Sequence, residues 1–226
     1  MTARVVPSWE AVACHEAGHA VVAVVLGCRF EYVTMRPRGG GHAAHVQFPR
    51  RAVLRDGQWE AAAAVGFGGI VAEEFHYCDE ACLDPGSAGH DRLRRALTRH
   101  SGRADLRDVR DLTRHALEWH SVDPGWSATP IGDGWSPTDL AATAWRRAVG
   151  VVLAYVDAVG VVAEELLTAP RALRWARARE VVAGVGPGGV PDDVPDWVWR
   201  PWFLDHTRLR WDRSRPAAAS CVEVVA

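Results

Sequence analysis

The chain of 226 residues contains no lysine, so all 26 of its basic residues are arginine. A P-loop places a lysine on the nucleotide phosphates, and Schiff-base catalysis needs a lysine amine, so the sequence excludes both. The formal net charge is only −2, which gives no electrostatic reason to expect nucleic acid or an anionic membrane as a partner. We therefore predict no ATP, no nucleic acid and no membrane among its partners.

The sequence also lacks a long uninterrupted apolar run. Its most apolar stretch, 148–167, is interrupted by Asp157, Glu164 and Glu165, whereas a membrane-spanning helix needs about 20 predominantly apolar residues. Residues 1–7 show neither the basic start nor the apolar run of a secretory signal peptide. The five cysteines are odd in number and irregularly spaced, unlike a disulfide framework. We therefore expect a protein of the reducing cytoplasm.

Helical patterns dominate the chain, of which 48% is apolar and 24% charged. The patterns predict helices at 9–26, 58–76, 89–100, 106–119, 138–167 and 169–183, and strands at 29–35 and 43–48. The predicted fold is mainly α (α+β), with a small β-sheet or hairpin beside the first helix. Its predicted parts are a core (1–120), a helical part of the same domain (121–184) and a Trp/Pro-rich tail (185–226), with a surface loop at 122–137. We expect the tail to fold back onto its own domain.

Two histidines and a glutamate interrupt the apolar helix predicted at 9–26. His15 and His19 have i, i+4 spacing, so both imidazoles project from one face and can bind one zinc ion. Glu16 is rotated by about 100° from His15, where a carboxylate can accept a proton from an activated water. A bare HExxH pattern also arises by chance, but burying three unpaired polar groups costs roughly 1–3 kcal/mol each. The apolar setting therefore favours a metal site.

Zinc needs a third protein ligand, and the residues alone leave the choice open. The candidates are, in chain order, Glu73, Glu74, His76, Cys78, Cys82, His90 and Asp91. Either glutamate would complete a His-His-Glu set, as in thermolysin-like enzymes. His76, Cys78 and Cys82 form a group of softer ligands. His90 and Asp91 are adjacent at the start of a predicted helix. Local chemistry does not choose among them.

Four segments, in order, resemble the peptidase domain of the FtsH-type ATP-dependent zinc metallopeptidases. Residues 15–22 look like that family's zinc helix, and 33–39 resemble the strand and turn after it. Residues 68–74 are similar to its Gly-Gly-Arg-Val-Ala-Glu-Glu helix, and 86–97 resemble its Gly-Ala-x-Asn-Asp-Leu-x-x-Ala-Thr segment. The family joins this domain to an ATPase ring and a membrane anchor. Because the sequence contains neither, we expect a stand-alone peptidase domain.

The resemblance implies a ligand set and a mechanism. One zinc ion per chain would be bound by His15, His19 and Asp91, with Glu16 as the general base. Glu73 would then orient a histidine or serve as an alternative ligand. His90, which stands where the family has asparagine, is a further alternative ligand. Because the family's peptidase domains form rings, homo-oligomerisation is a further expectation.

The expected function is an ATP-independent zinc metallopeptidase that cleaves unfolded or flexible polypeptide or short peptides. A glycine-rich turn at 38–42 and the strand after it can offer an edge to which a peptide adds as a strand, although an ordinary hairpin loop fits equally well. One alternative is a zinc hydrolase of small amides in biosynthesis, favoured if the tail tryptophans close a pocket over the site. Another is a non-catalytic binding module of the same fold. The charged stretch 103–114 is expected as a solvated helix face.

Overall fold

The computed structural model describes residues 8–35, 45–47, 58–80, 87–99, 101–168, 172–192 and 194–206. Its helices are α1 (Trp9–Val25), α2 (Trp59–Glu80), α3 (Ala88–Arg99), α4 (Arg103–Val122), α5 (Pro137–Ala154), α6 (Val156–Thr168), α7 (Trp175–Val185), α8 (Asp196–Trp199) and α9 (Phe203–His206). Its strands are β1 (Tyr32–Thr34), β2 (His45–Gln47) and β3 (Leu173–Arg174). The mainly α fold with a small sheet is confirmed.

The three strands form one antiparallel sheet in the order β2-β1-β3, beside α1. In the register, Val33 of β1 lies opposite Val46 of β2 and Leu173 of β3. The third strand falls in a segment that was predicted to be helical. It is only two residues long and depends on pairing with a strand about 140 residues away, which no local pattern shows.

The central helix is α1, which begins after Ser8 and packs against α2, α5, α6 and α7. The Ser8 side chain accepts a hydrogen bond from the backbone N–H of Ala11 (3.1 Å), so it caps the helix as Ser commonly does. Alanine and valine on all sides of α1 are buried. A helix that is apolar all round is stable only inside the core, which is why its two histidines are buried as well.

Glycines bring α1 and α2 into backbone contact. A Cβ atom on Gly18 would collide with the carbonyl group of Gly68, and one on Gly68 would lie 2.7 Å from the carbonyl oxygen of Gly18. Only glycine permits such an approach between two helices. The crossing places the face of α2 that carries Gly69 and Glu73 against the face of α1 that carries His15.

The helix predicted at 138–167 is two helices, because the α-helical path changes at Tyr155. Tyr155 ends α5 with φ −123° and ψ 27°, and its backbone N–H still donates to the carbonyl of Val151. The change of direction allows both α5 and α6 to pack against α1. No glycine or proline stands at this junction, so the local sequence did not indicate it.

The described part of the tail folds back onto the domain, as predicted. Trp202 and Phe203 are buried, and the indole N–H of Trp145 on α5 donates to the backbone carbonyl of Val198 (3.2 Å). Trp211 lies outside the described residues. Among the helices that the structure describes, none combines the length and apolar character needed to cross a membrane.

Candidate metal centre

Three donor side chains meet between α1 and the first turn of α4. Within the described ranges, His15, His19 and Asp105 form the one group of three or more His, Cys, Asp or Glu residues whose ligand atoms lie within 4.8 Å of one another. Both histidines are buried, with 6% and 7% exposed. The Asp105 side chain is 22% exposed, so the group can be reached from its α4 side.

The distances within this group fit a tetrahedral zinc ion. The two Nε2 atoms are 3.0 Å apart, and Nε2 of His15 lies 3.1 Å from Oδ2 of Asp105. Nε2 of His19 lies 3.7 Å from Oδ1 of the same carboxylate. Ligand atoms at about 2.0–2.1 Å from a tetrahedral ion are separated by about 3.3 Å. The donor atoms are therefore close to the positions that zinc requires, and two histidines with one carboxylate are a ligand set that zinc accepts.

The outer hydrogen bonds fix the tautomers of both histidines. Nδ1 of His19 lies 2.6 Å from the carbonyl oxygen of Val65, which can only accept, so this nitrogen carries the proton. Nδ1 of His15 donates in the same way to Oε2 of Glu73, at 2.9 Å. In a neutral ring the second nitrogen then has a lone pair. Two Nε2 lone pairs and a carboxylate therefore converge on one point.

Such a group of electron-pair donors is stable only with a positive charge among them, either a metal ion or a proton. Burial is the largest single influence on the pKa of His15, and by itself it would lower that pKa. The hydrogen bonds with Asp105 and Glu73 together outweigh burial, so the pKa of His15 is raised well above its usual value. Burial lowers the pKa of His19. Burial would raise the pKa of Asp105, but the neighbouring His19 and His15 outweigh it and lower that pKa. Without a metal ion, these opposite pKa shifts favour a proton on His15 over one on His19.

Glu16 is the other polar group on this part of α1. It is only 7% exposed, and its Oε2 atom has no hydrogen-bond partner among the described residues. Burial raises its pKa to about 7; His15 opposes this shift, and the negative charges of Asp105 and Glu73 add to it. A buried carboxyl group with an unused oxygen beside a possible metal site is suited to accepting and returning a proton.

Glu73 and Gly69 on α2 shape the group from the opposite side. Glu73 is 1% exposed and contacts His15 at Nδ1, the contact expected of a residue that orients a histidine. At Gly69, a Cβ atom would collide with Nε2 of His19 and lie 2.7 Å from Nε2 of His15. The missing side chain therefore leaves room at the two nitrogens that face the metal position.

The structure does not bring Asp91 to this group, in contrast to the ligand set implied by the resemblance. Asp91 lies in the first turn of α3, which packs against α2, α4 and α9. Asp105 lies in the first turn of α4, and its carboxylate reaches His15. Helix packing, which spacing along the chain does not determine, therefore selects Asp105 as the third donor.

The other candidate ligands also lie outside the group. His90 is fully buried, and its Nε2 donates to Oε1 of Glu74 at 2.9 Å. His76 and Cys78 are partly buried on the last turns of α2. Cys82 lies outside the described residues, so the group of softer ligands that includes it stays a prediction.

A signal for Asp105 is present in the sequence. The family segment cited above has an aspartate followed by leucine; Asp91 is followed by Arg92, whereas Asp105 is followed by Leu106. Leu106 is completely buried, and it anchors the first turn of α4 in the core. The expectation that 103–114 is a solvated face therefore holds for only one side of α4.

Comparisons with known proteins provide no relatives from which to transfer a function. No protein-family model matches the chain, and no curated protein is significantly similar to it. The resemblance to the FtsH-type peptidases therefore stays a prediction.

Proposed function

We propose that this chain is a zinc-dependent metallopeptidase that cleaves unfolded or flexible polypeptide and short peptides without ATP. The observation that carries this proposal is the convergence of two histidine lone pairs and one carboxylate beside the buried carboxyl group of Glu16, whose Oε2 atom has no hydrogen-bond partner among the described residues. His15, His19 and Asp105 would hold one zinc ion per chain. Three protein ligands leave a fourth position for water, which is the arrangement of catalytic rather than structural zinc.

The roles of the residues follow from their positions. Zinc held by His15, His19 and Asp105 would supply the Lewis acidity that activates water at neutral pH and polarises a peptide carbonyl. Glu16 accepts the proton of the attacking water and returns it to the leaving amine. Glu73 holds the imidazole of His15 in the tautomer that directs Nε2 inward. The carbonyl of Val65 does the same for His19.

The substrate proposal rests on the sheet and on the absence of an ATPase pattern in the sequence. Among the described strands, β2 lies at an edge of the sheet and contacts α1, the helix that carries both histidines, so an extended peptide can add to this edge. Nothing in the sequence indicates a motor that unfolds proteins, so a stably folded substrate is not expected. Among the described residues, Cys28 and Cys78 form no disulfide, which is compatible with a reducing cytoplasm as the proposed location. Homo-oligomerisation, taken from the resemblance, stays a proposal.

The described tail tryptophans do not favour the alternative of a small-amide hydrolase. Trp197 and Trp202 contact His90, Arg94 and Glu74 in a second buried cluster rather than the metal-facing histidines. The alternative of a non-catalytic module does not explain why Oε2 of Glu16 is buried without a hydrogen-bond partner among the described residues. We therefore rank the peptidase first.

An assay on unfolded protein tests the proposal. The zinc-loaded chain is incubated with a reduced, denatured protein and with the same protein in its folded form, and fragments are identified by mass spectrometry. We expect cleavage of the unfolded form, no cleavage of the folded form, and loss of cleavage after chelation that zinc restores. A zinc-loaded chain that leaves denatured protein and a broad peptide mixture intact would contradict the proposal.

A further inference from the structure

A second buried polar cluster lies next to the candidate metal centre. In this cluster, called the Glu74 cluster, three donors converge on one carboxylate: Nε2 of His90 (2.9 Å) and Nε of Arg94 (2.7 Å) donate to Oε1. The indole N–H of Trp202 donates to Oε2 (2.7 Å). All four side chains are buried. The carboxylate of Glu74 therefore has a partner on each oxygen.

The Glu74 cluster joins three distant parts of the chain. Glu74 belongs to α2, His90 and Arg94 belong to α3, and Trp202 lies just before α9. The guanidinium of Arg94 also lies over the Trp202 ring, 5.2 Å from its centroid, and a second tryptophan of the tail, Trp197, lies 5.0 Å from it. The tail is thereby attached to the end of α2 through polar groups as well as apolar ones.

Glu73 and Glu74 are neighbours on α2, and they serve different clusters. Successive residues of a helix are rotated by about 100° and separated by about 1.5 Å along the axis. One carboxylate therefore faces α1 and holds His15, while the next faces α3 and the tail. A shift of this single turn of α2 would displace both carboxylates together.

Apolar packing also holds this turn, because Val71 and Ala72 are buried in the core and Phe75 packs against it. On its N-terminal side, α2 is held by the backbone contact between Gly68 and Gly18. On its C-terminal side, the residues 75–78 are only partly buried. Glu74 is therefore the last buried side chain of α2 for which the structure describes a hydrogen-bonded anchor.

We propose that Trp202 is a positioning residue for the metal centre, because it fixes Glu74 and with it the turn of α2 from which Glu73 orients His15. The inference rests on the metal-binding part of the proposed function and does not depend on the substrate. It gives the tail a role in the site without contact with the metal ligands. The tail would stabilise the binding geometry of the metal centre from the side of α2 that faces away from α1.

The test is the zinc affinity of the folded chain, measured by competition with a chromogenic chelator well below the unfolding temperature. Trp202→Phe removes the indole N–H and keeps an aromatic ring, so we expect zinc affinity to fall by about threefold to tenfold, less than the loss typical of a residue that contacts a ligand directly. In the background Glu73→Gln, Trp202→Phe should change the affinity by less than about twofold, because its effect passes through Glu73.

Trp145→Phe is the matched control. It also removes a buried indole N–H that binds the tail, but that group donates to the carbonyl of Val198 and not to Glu74. We expect a lower unfolding temperature and unchanged zinc affinity. Full zinc affinity in Trp202→Phe, equal losses in both single variants, or additive losses with Glu73→Gln would each overturn the inference while leaving the peptidase proposal in place. A wild-type chain that binds no zinc would overturn both.

Discussion

The two buried clusters on either side of α2 use similar side chains with opposite electrostatic results. In the Glu74 cluster, three N–H donors surround one carboxylate, so the negative charge has its partners within the protein. At the metal centre, two imidazole nitrogens and the Asp105 carboxylate face one another, so three electron-pair donors share one point. In the first cluster, protein groups alone satisfy both oxygens of the carboxylate. The second cluster requires a positive charge, either a metal ion or a proton.

Buried histidine and carboxylate residues therefore do not by themselves indicate a metal site. His90 is more deeply buried than His15 and also contacts a glutamate, but its partner already receives a guanidinium and an indole N–H. What distinguishes His15 is that its outer nitrogen donates to Glu73, so that its inner nitrogen faces a second histidine. The direction of the hydrogen bonds separates a functional cluster from a structural one.

The largest expected effect concerns Glu16, which has an unused oxygen at the metal centre. Glu16→Gln keeps the shape of the side chain but removes its ability to accept a proton, so peptide hydrolysis should fall by roughly a thousandfold. Zinc stoichiometry should stay at that of the wild type, because Glu16 is not one of the donors. Rates on a fluorogenic peptide and metal analysis of the same sample check both points. Wild-type turnover in the variant would remove Glu16 from the mechanism.

The next effect tests the space at the metal centre. Gly69→Ala adds a methyl group against the two Nε2 atoms, so zinc affinity should fall by about tenfold or more. Gly160→Ala on α6 is the control, since a Cβ atom there has no neighbour within 4 Å. The control should keep its zinc affinity and unfold at a slightly higher temperature. If both variants bind zinc equally well, the metal does not lie between these nitrogens.

A third prediction concerns the Glu74 cluster, whose loss should act mainly on stability. Arg94→Met leaves the buried Glu74 carboxylate without its cation, so the free energy of unfolding should fall by about 3 kcal/mol. Removing the exposed partner of Glu165 with Arg177→Met should change stability far less, because water screens that pair. Urea unfolding of both variants measures the difference. With zinc in excess, both should still bind one ion per chain, whereas a loss of stoichiometric zinc in Arg94→Met would contradict the conclusion that the Glu74 cluster contains no metal ligand.

The last prediction concerns Cys78, which lies one turn beyond Glu74 and has no role in the proposed mechanism. Burial, together with the nearby Glu74 charge, raises the pKa of its thiol to about 11. In a variant whose other cysteines are serine, alkylation at pH 8 should be roughly a hundredfold slower than that of an unhindered thiol, and the rate should rise up to about pH 11. Rapid alkylation at pH 8 would instead indicate a reactive thiolate and renew interest in this residue as a ligand or redox group.

The sequence predicted the parts of the site that lie within one helix. The apolar pattern identified α1, and i, i+4 spacing placed His15 and His19 on one face, because helix geometry alone determines that relation. Glu73 was predicted to orient a histidine only through the resemblance. The two clusters could not be told apart, since Glu73 and Glu74 are adjacent in the chain and only packing shows which neighbour each one meets.

Relations between distant segments were not predictable from local patterns. Asp105 lies 90 residues after His15, in a stretch whose many charges suggested a solvated surface. Its position follows from the burial of Leu106 and from the packing of α4 on α2. In the same way, β3 exists only through its pairing with β1, and the junction at Tyr155 reflects the packing of α5 and α6 on α1.

The most direct test of the central claim is the metal content of three proteins purified without chelator: the wild type, Asp105→Asn and Asp91→Asn. Both substitutions remove one carboxylate from the first turn of a neighbouring helix, so each is the control for the other. We predict about one zinc ion per chain in the wild type and in Asp91→Asn, and a loss of most of it in Asp105→Asn. Zinc retained in Asp105→Asn but lost in Asp91→Asn, or no zinc in the wild type after zinc is supplied, would contradict the account.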